Sequence, residues 1–71
     1  MTDYYVIQKI ANKAYLFEVV ERRMGELSTE IADRCHEIIS QARIFHRGEF
    51  FFMDRTSLLA SNISYLLEEV E

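Results

Sequence analysis

Apolar residues recur along this chain at alternating steps of three and four, the heptad spacing of a coiled-coil seam on one face of a helix. Counted from Ile7, the apolar series is interrupted by polar residues at two places only, and each interruption brackets one of the two glycines, Gly25 and Gly48. The interrupting residues are Glu21, Ser28, Glu49 and Thr56. The pattern therefore predicts three helical segments that are separated at the glycines.

The residues around both glycines are those expected at helix ends. Glycine adopts the left-handed conformation that follows a helix C-terminus without steric cost, and positive charge, which the helix dipole favours there, precedes each glycine. Met53 and Leu58 are spaced as a hydrophobic staple at the third helix start, and Glu30 and Arg34 are spaced as an i,i+4 ion pair within the second helix. The basic residues are Arg22, Arg23, Arg43, His46 and Arg47, and the candidate N-caps are Thr2 or Asp3, Ser28 and Asp54.

These signals predict helices at about 3–24, 29–47 and 54–70 within one helical domain spanning residues 1–71. The expected fold is all-α, either a three-helix bundle or a helical hairpin with a third helix, and it is expected to be oligomeric. Two alternatives stay open. Glycine costs only about 1 kcal/mol inside a helix, so either break could be continuous within a long two-helix hairpin. Segments 4–7 and 50–53 are also rich in strand-favouring residues and could pair as a short β-ribbon.

The first predicted helix contains more apolar residues than one packed face can hold. Twelve of the seventeen residues from 4 to 20 are apolar, and on a helix Tyr5, Leu16 and Val20 would lie on the side opposite the main apolar stripe. The connector 49–53 adds three consecutive phenylalanines. We therefore expect a partner-binding surface formed by Tyr5, Leu16, Val20, Phe50, Phe51, Phe52 and Met53. The alternative is that the aromatic residues only cap the end of the bundle.

Length and charge narrow the possible functions. The chain has 71 residues, of which 49 % are hydrophobic, and its formal net charge is −4. An acidic chain lacks the broad positive surface that nucleic acids or anionic membranes attract. A small dimeric DNA-binding regulator remains the alternative, using Arg34, Arg43 and Arg47 on the second helix. Acidic residues interleave with these arginines, so we do not expect nucleic acid as the partner.

Cys35 and His36 provide the only cluster with metal-binding or nucleophilic chemistry. Adjacent residues on a helix point about 100° apart, so the two side chains cannot converge on one ion, and Cys35 is expected in the core. No phosphate-binding loop, catalytic set or cofactor motif is present, so we expect no enzyme activity, no metal and no cofactor.

A single cysteine cannot form an internal disulfide, which favours a reducing cytoplasm. The longest uncharged stretch, 56–67, is too short to span a bilayer, and Asp3, Lys9 and Lys13 argue against a signal peptide. The expected function is a non-enzymatic protein-interaction module: an accessory subunit, a chaperone, or an inhibitor or regulator of a larger complex. Its expected partner is a second copy, a larger protein, or both.

Overall fold

The computed structural model describes residues 3–61 and the backbone of residues 67 and 68. These residues form a small α/β fold, in which three antiparallel strands and two helices account for most of the chain. The all-α prediction is therefore wrong, and with it the helical bundle and the coiled-coil seam. In chain order the elements are β1 (Tyr4–Ile10), β2 (Lys13–Val20), α1 (Ser28–Phe45), β3 (Glu49–Asp54), α2 (Arg55–Ala60) and β4 (Leu67–Glu68).

The segment predicted as the first helix is a β-hairpin. Strands β1 and β2 pair antiparallel, and the closing pair of Ile10 with Lys13 leaves a two-residue loop in which Ala11 has φ of 54°. Valine and tyrosine occur in both strands and isoleucine occurs in β1, and these residues fit a pleated surface. The helical spacing found in the sequence arose because twelve of the seventeen positions in this segment are apolar, so that more than one periodicity matches it.

The connector between the predicted second and third helices is the strand β3. It pairs antiparallel with β1 without interruption from Lys9 opposite Glu49 to Tyr4 opposite Asp54. The β-ribbon alternative is therefore confirmed, and the pairing extends beyond the residues named for it. The strand order is β3-β1-β2-β4, which places β1 in the middle, while β4 runs parallel to β2 beside Ala14 and Tyr15.

The second predicted helix is confirmed as α1, within two residues at each end. The predicted cap, Ser28, is instead the first helical residue, and the cap is Leu27. The Leu27 backbone N–H donates to the Glu30 carboxylate at 3.0 Å. The helix ends where the His46 N–H donates to the Ala42 carbonyl, and Gly48 follows with φ of 98°. Gly25, at φ of 78°, lies in the loop between β2 and α1 and follows no helix. Both glycines thus separate elements, and the long two-helix hairpin is wrong.

The third predicted helix is much shorter than expected. The predicted cap is confirmed, since the Asp54 carboxylate accepts the Ser57 backbone N–H at 2.8 Å, and Met53 packs in the same apolar cluster as Leu58. The helix that follows, α2, ends at Ala60. Residues 67 and 68 are extended instead of helical, and the predicted helical positions 62–66 and 69–70 lie outside the described residues.

The sheet carries one apolar cluster on each face. One cluster, here called the α1 face, joins strand residues to the buried side of α1 and includes Val6, Val20, Phe50 and Cys35. The other, the α2 face, joins Ile7 and Ala14 to Leu58. Covering both faces explains why β1 has no polar alternation. The strand order places β3 at one edge of the sheet. None of the helices within residues 3–61 is long and apolar enough to cross a membrane.

Candidate protein-interaction surface

The predicted partner-binding residues of segment 4–20 do not share a surface. Val20 is buried beneath α1, whereas Tyr5 and Leu16 are half-buried on the opposite side of the sheet, packed around Ile7. The prediction of a single exposed helix face is wrong because successive strand residues point to alternate sides. A β-bulge modifies this alternation: Val6 pairs with Glu18 and Ile7 with Leu16, so Phe17 has no partner on β1 and packs on the α1 face.

The phenylalanines of β3 are likewise divided between the two faces. Phe50, only 4 % exposed, and Phe52 pack on the α1 face, while Phe51 and Met53 pack on the α2 face. Phe50 meets Phe17 edge to face with ring centroids 5.2 Å apart, and the Phe52 ring lies 5.0 Å from that of His36 in a similar arrangement. The expected contiguous aromatic patch is therefore absent from β3. The side chains of β3 instead pack alternately on the α1 face and the α2 face.

What β3 does expose is its outer backbone edge. In an antiparallel strand, alternate residues direct their N–H and C=O groups away from the paired neighbour. No hydrogen bond within the part of the chain that the structure describes joins β3 to an element on its outer side. The strand contains neither proline nor lysine, and its register with β1 has no bulge. Its charged residues, Glu49 and Asp54, stand only at its two ends. We call this feature the β3 edge.

A groove runs beside the β3 edge, between the strand and α1. Its volume is about 300 Å³. Phe50 and Phe52 contribute aromatic surface, and the exposed side chains of His36, Ser40 and Arg43 line the helix side. Ile39 and Phe51 complete the lining. This β3 groove therefore offers an apolar floor beside polar hydrogen-bonding groups, immediately next to unpaired backbone.

The opposite side of α1 carries different chemistry. Two adjoining depressions of about 250 and 410 Å³ share Ile38 and Gln41, and Arg34 lines the larger one. Arg43 lies on the other side of the helix, in the β3 groove, since nine residues correspond to two and a half turns. The arginines named for DNA binding therefore do not form one positive surface.

Arg34 also binds the buried carboxylate of Glu26, a contact that no sequence pattern predicted. Its Nη1 atom lies 2.7 Å from Oε1 of Glu26, instead of pairing with Glu30 as the i,i+4 spacing predicted. The same oxygen accepts the backbone N–H of Arg23 at 2.9 Å, and the Arg22 side chain donates to the Glu26 carbonyl. These bonds tie the loop 21–27 to α1. No spacing rule would have revealed them, because the loop conformation brings the groups together.

The cluster around Cys35 offers no reactive site. Cys35 is fully buried beneath α1, and burial raises the pKa of its thiol. His36 is exposed on a different side of the helix, beside Phe52. Residues 3–61 contain no group of three histidine, cysteine, aspartate or glutamate side chains placed to share a metal ion.

Comparison of the chain with models of known protein families, with curated proteins and with solved structures finds no match.

Proposed function

We propose that the protein is a non-enzymatic interaction module that binds an extended segment of protein along the β3 edge. The observation that carries this proposal is the six-residue outer strand, uninterrupted in register and without the residues that normally protect an edge. Proteins usually prevent edge pairing with lysine, proline, a bulge or a covering element, because open N–H and C=O groups are a template for another strand.

Strand addition accounts for both parts of the surface. Backbone hydrogen bonds to the β3 edge supply affinity that is independent of side chains, and pockets beside the edge select alternate residues of the added strand. An added strand would direct every second side chain toward the β3 groove. There it would meet Phe52 together with the donors of Arg43 and Ser40, so we expect a preference for apolar residues with an acidic residue nearby.

This proposal keeps the function expected from the sequence and changes its location. The surface is a strand edge with a groove whose lining includes Phe50, and Val20 supports it from within the core without contacting the partner. The DNA-binding alternative is not carried forward, because Arg34 is engaged by Glu26 on the side of α1 away from Arg43. We also propose a cytoplasmic location, supported by a lone cysteine that is a buried thiol.

Selection from a random library of 12-residue peptides displayed on phage, with the purified protein as bait, tests the proposal. Bound peptides should slow hydrogen exchange at alternate β3 amides, those that point outward, and leave α1 unaffected. Peptides that bind without protecting β3, or a monomeric protein for which the library yields no binder, would contradict it.

Two neighbouring exposed residues on α1 provide a matched pair of variants. Ser40 lines the β3 groove and Gln41 lines the depression on the other side of the helix. Ser40→Trp should fill the groove and weaken binding of a selected peptide at least about tenfold, a loss of about 1.4 kcal/mol. Gln41→Trp adds the same side chain one position along and should leave the affinity unchanged. Equal effects of the two substitutions would rule out the groove.

A further inference from the structure

We infer that the segment bound at the β3 edge is β3 of a second copy of this chain, giving a two-fold dimer with one continuous sheet; this inference rests on the proposed function. The self-complementarity of the strand and its flanking charges carries the argument.

Two identical antiparallel strands can pair symmetrically only about an axis perpendicular to the sheet. Such an axis keeps each side chain on its own face, so residues that lie opposite each other must have numbers whose sum is even. For β3 the two registers with the longest pairing are centred on Phe51 or on Phe52. Registers centred nearer either end of the strand pair fewer residues.

The charged residues at and beside the ends of β3 favour one of these two registers. Centred on Phe51, the pairing would bring Arg55, at the start of α2, close to the partner's Arg47, in the loop before β3, and these like charges would repel. Centred on Phe52, it places Arg55 opposite the partner's Glu49. Both residues are exposed: Glu49 is the first residue of β3, and Arg55, the first residue of α2, directly follows the last residue of β3. Charge complementarity therefore favours the register centred on Phe52.

The same register gives compatible neighbours elsewhere. Glu49 already lies opposite Lys9 on β1, so the partner's Arg55, just beyond the end of its β3, would give Glu49 a positive charge on each side. On the α2 face, Phe51 lies opposite the partner's Met53 on both sides of the axis, and a thioether beside an aromatic ring is favourable. At the centre, Phe52 meets the partner's Phe52 between the two β3 grooves.

The helices leave room for this arrangement. The α1 helix packs against β1 and β3, with an open groove on each of its sides. Neighbouring strands are about 4.8 Å apart, so a helix packed on β1 and β3 would lie about 10–14 Å from the partner's α1, no closer than the 8–10 Å of directly packed helices. The two β3 grooves then merge, and the backbones do not collide.

Disulfide trapping between two single-cysteine variants tests the register. Glu49→Cys and Arg55→Cys, mixed under mild oxidation, should give a linked dimer in high yield. Either variant alone should give little, because residue 49 and its copy lie about 20 Å apart along the strands in this register. Cys35 does not interfere because it is buried. Equal linking in the mixture and in the separate variants would overturn the inference.

Sedimentation equilibrium of the unmodified protein, at tens to hundreds of micromolar, supplies the second test, with folding checked by circular dichroism. A dimer is expected, and Arg55→Glu should weaken it at least tenfold, whereas Arg47→Glu should leave it unchanged. If the protein stays monomeric and library peptides slow hydrogen exchange of its β3 amides, the dimer is overturned and the proposed peptide binding stands. A monomer whose β3 amides no peptide protects would overturn both.

Discussion

The carboxylate of Glu26, 9 % exposed, and the guanidinium of Arg34 meet at 2.7 Å and fasten the loop 21–27 to α1. The backbone N–H of Arg23 lowers the pKa of Glu26 most, and Arg34 lowers it further, while burial opposes both effects. A carboxyl group whose pKa is lowered by folding stabilises the folded state above its unfolded pKa. That contribution is lost as the pH falls through the folded pKa.

We therefore predict that the protein loses stability as the pH falls below the pKa that Glu26 has in the unfolded chain. Glu26→Gln should remove part of this loss. The measurement is the urea midpoint between pH 3 and pH 7. The variant should be less stable than the parent at pH 7, and the two midpoints should converge in acid. Parallel pH curves for the two proteins would show that Glu26 is not responsible.

Ala11 provides a prediction of increased stability. A residue with a Cβ is strained by about 1–2 kcal/mol in the left-handed region, whereas glycine is not. Ala11→Gly should therefore stabilise the protein by about 0.5–1 kcal/mol, after allowance for the greater freedom of glycine in the unfolded chain. Ala32→Gly within α1 is the control and should destabilise by about 1 kcal/mol. Urea unfolding measures both, and a loss of stability in Ala11→Gly would disprove strain in the hairpin loop.

The two glycines form a matched pair, since both have positive φ but different surroundings. A Cβ added to Gly25 would meet no atom within 4 Å, whereas one added to Gly48 would lie 2.7 Å from the carbonyl oxygen of Lys9. Gly25→Ala should cost about 1 kcal/mol from backbone strain alone. Gly48→Ala should cost clearly more, because the start of β3 would have to move away from β1. Thermal denaturation compares them, and equal shifts would contradict the close approach at Gly48.

Two isoleucines of α1 should respond very differently to truncation. Ile39 is 5 % exposed within the α1 face, and Ile44 is 74 % exposed near the helix end. Ile39→Ala should destabilise by about 2–4 kcal/mol through lost burial and the cavity left behind. Ile44→Ala should change stability by less than about 0.5 kcal/mol. If the two variants unfold alike in urea, the orientation of α1 on the sheet is wrong.

The buried thiol gives a direct measure of opening beneath α1. Cys35 is fully buried and the pKa of its thiol is raised, so both access and thiolate formation are limited. Labelling by a disulfide reagent at pH 8 should be at least about a hundredfold slower in the native protein than in urea. Labelling should accelerate in Ile39→Ala and remain unchanged in Ile44→Ala. Rapid labelling of the native protein would place Cys35 outside the core.

The sequence predicted α1 well because independent signals agreed there. A glycine past its C-terminus, basic residues in its last turn and an apolar stripe that includes Ile31 and Cys35 all indicated the same helix. The Asp54 cap was equally local, and it was correct although the helix beyond it is short. Such signals depend on residues within one or two turns of each other, so they can be identified in the sequence without knowledge of the tertiary structure.

The hairpin was missed because its local signals are weak. Its loop has Ala11 where glycine would have marked a two-residue turn, and the strands contain apolar residues on both sides. The excess of apolar residues was interpreted as a surface in need of a partner, whereas two covered faces account for most of it. The site changed accordingly: Phe51 and Phe52 were named for their exposed rings, but their exposed backbone is what the structure makes available.

The central position of β1 has a consequence for the order in which the protein folds during synthesis. The hairpin of β1 and β2 can form as soon as residue 20 is free of the ribosome, but the partners of β1 on β3 are 40 to 50 residues distant along the chain. Until they are synthesised, the aromatic first strand has one unpaired side. Closing so long a loop slows folding. Timely translation of residues 21–54, or a chaperone that shields β1, would therefore govern how much of the chain reaches its native sheet.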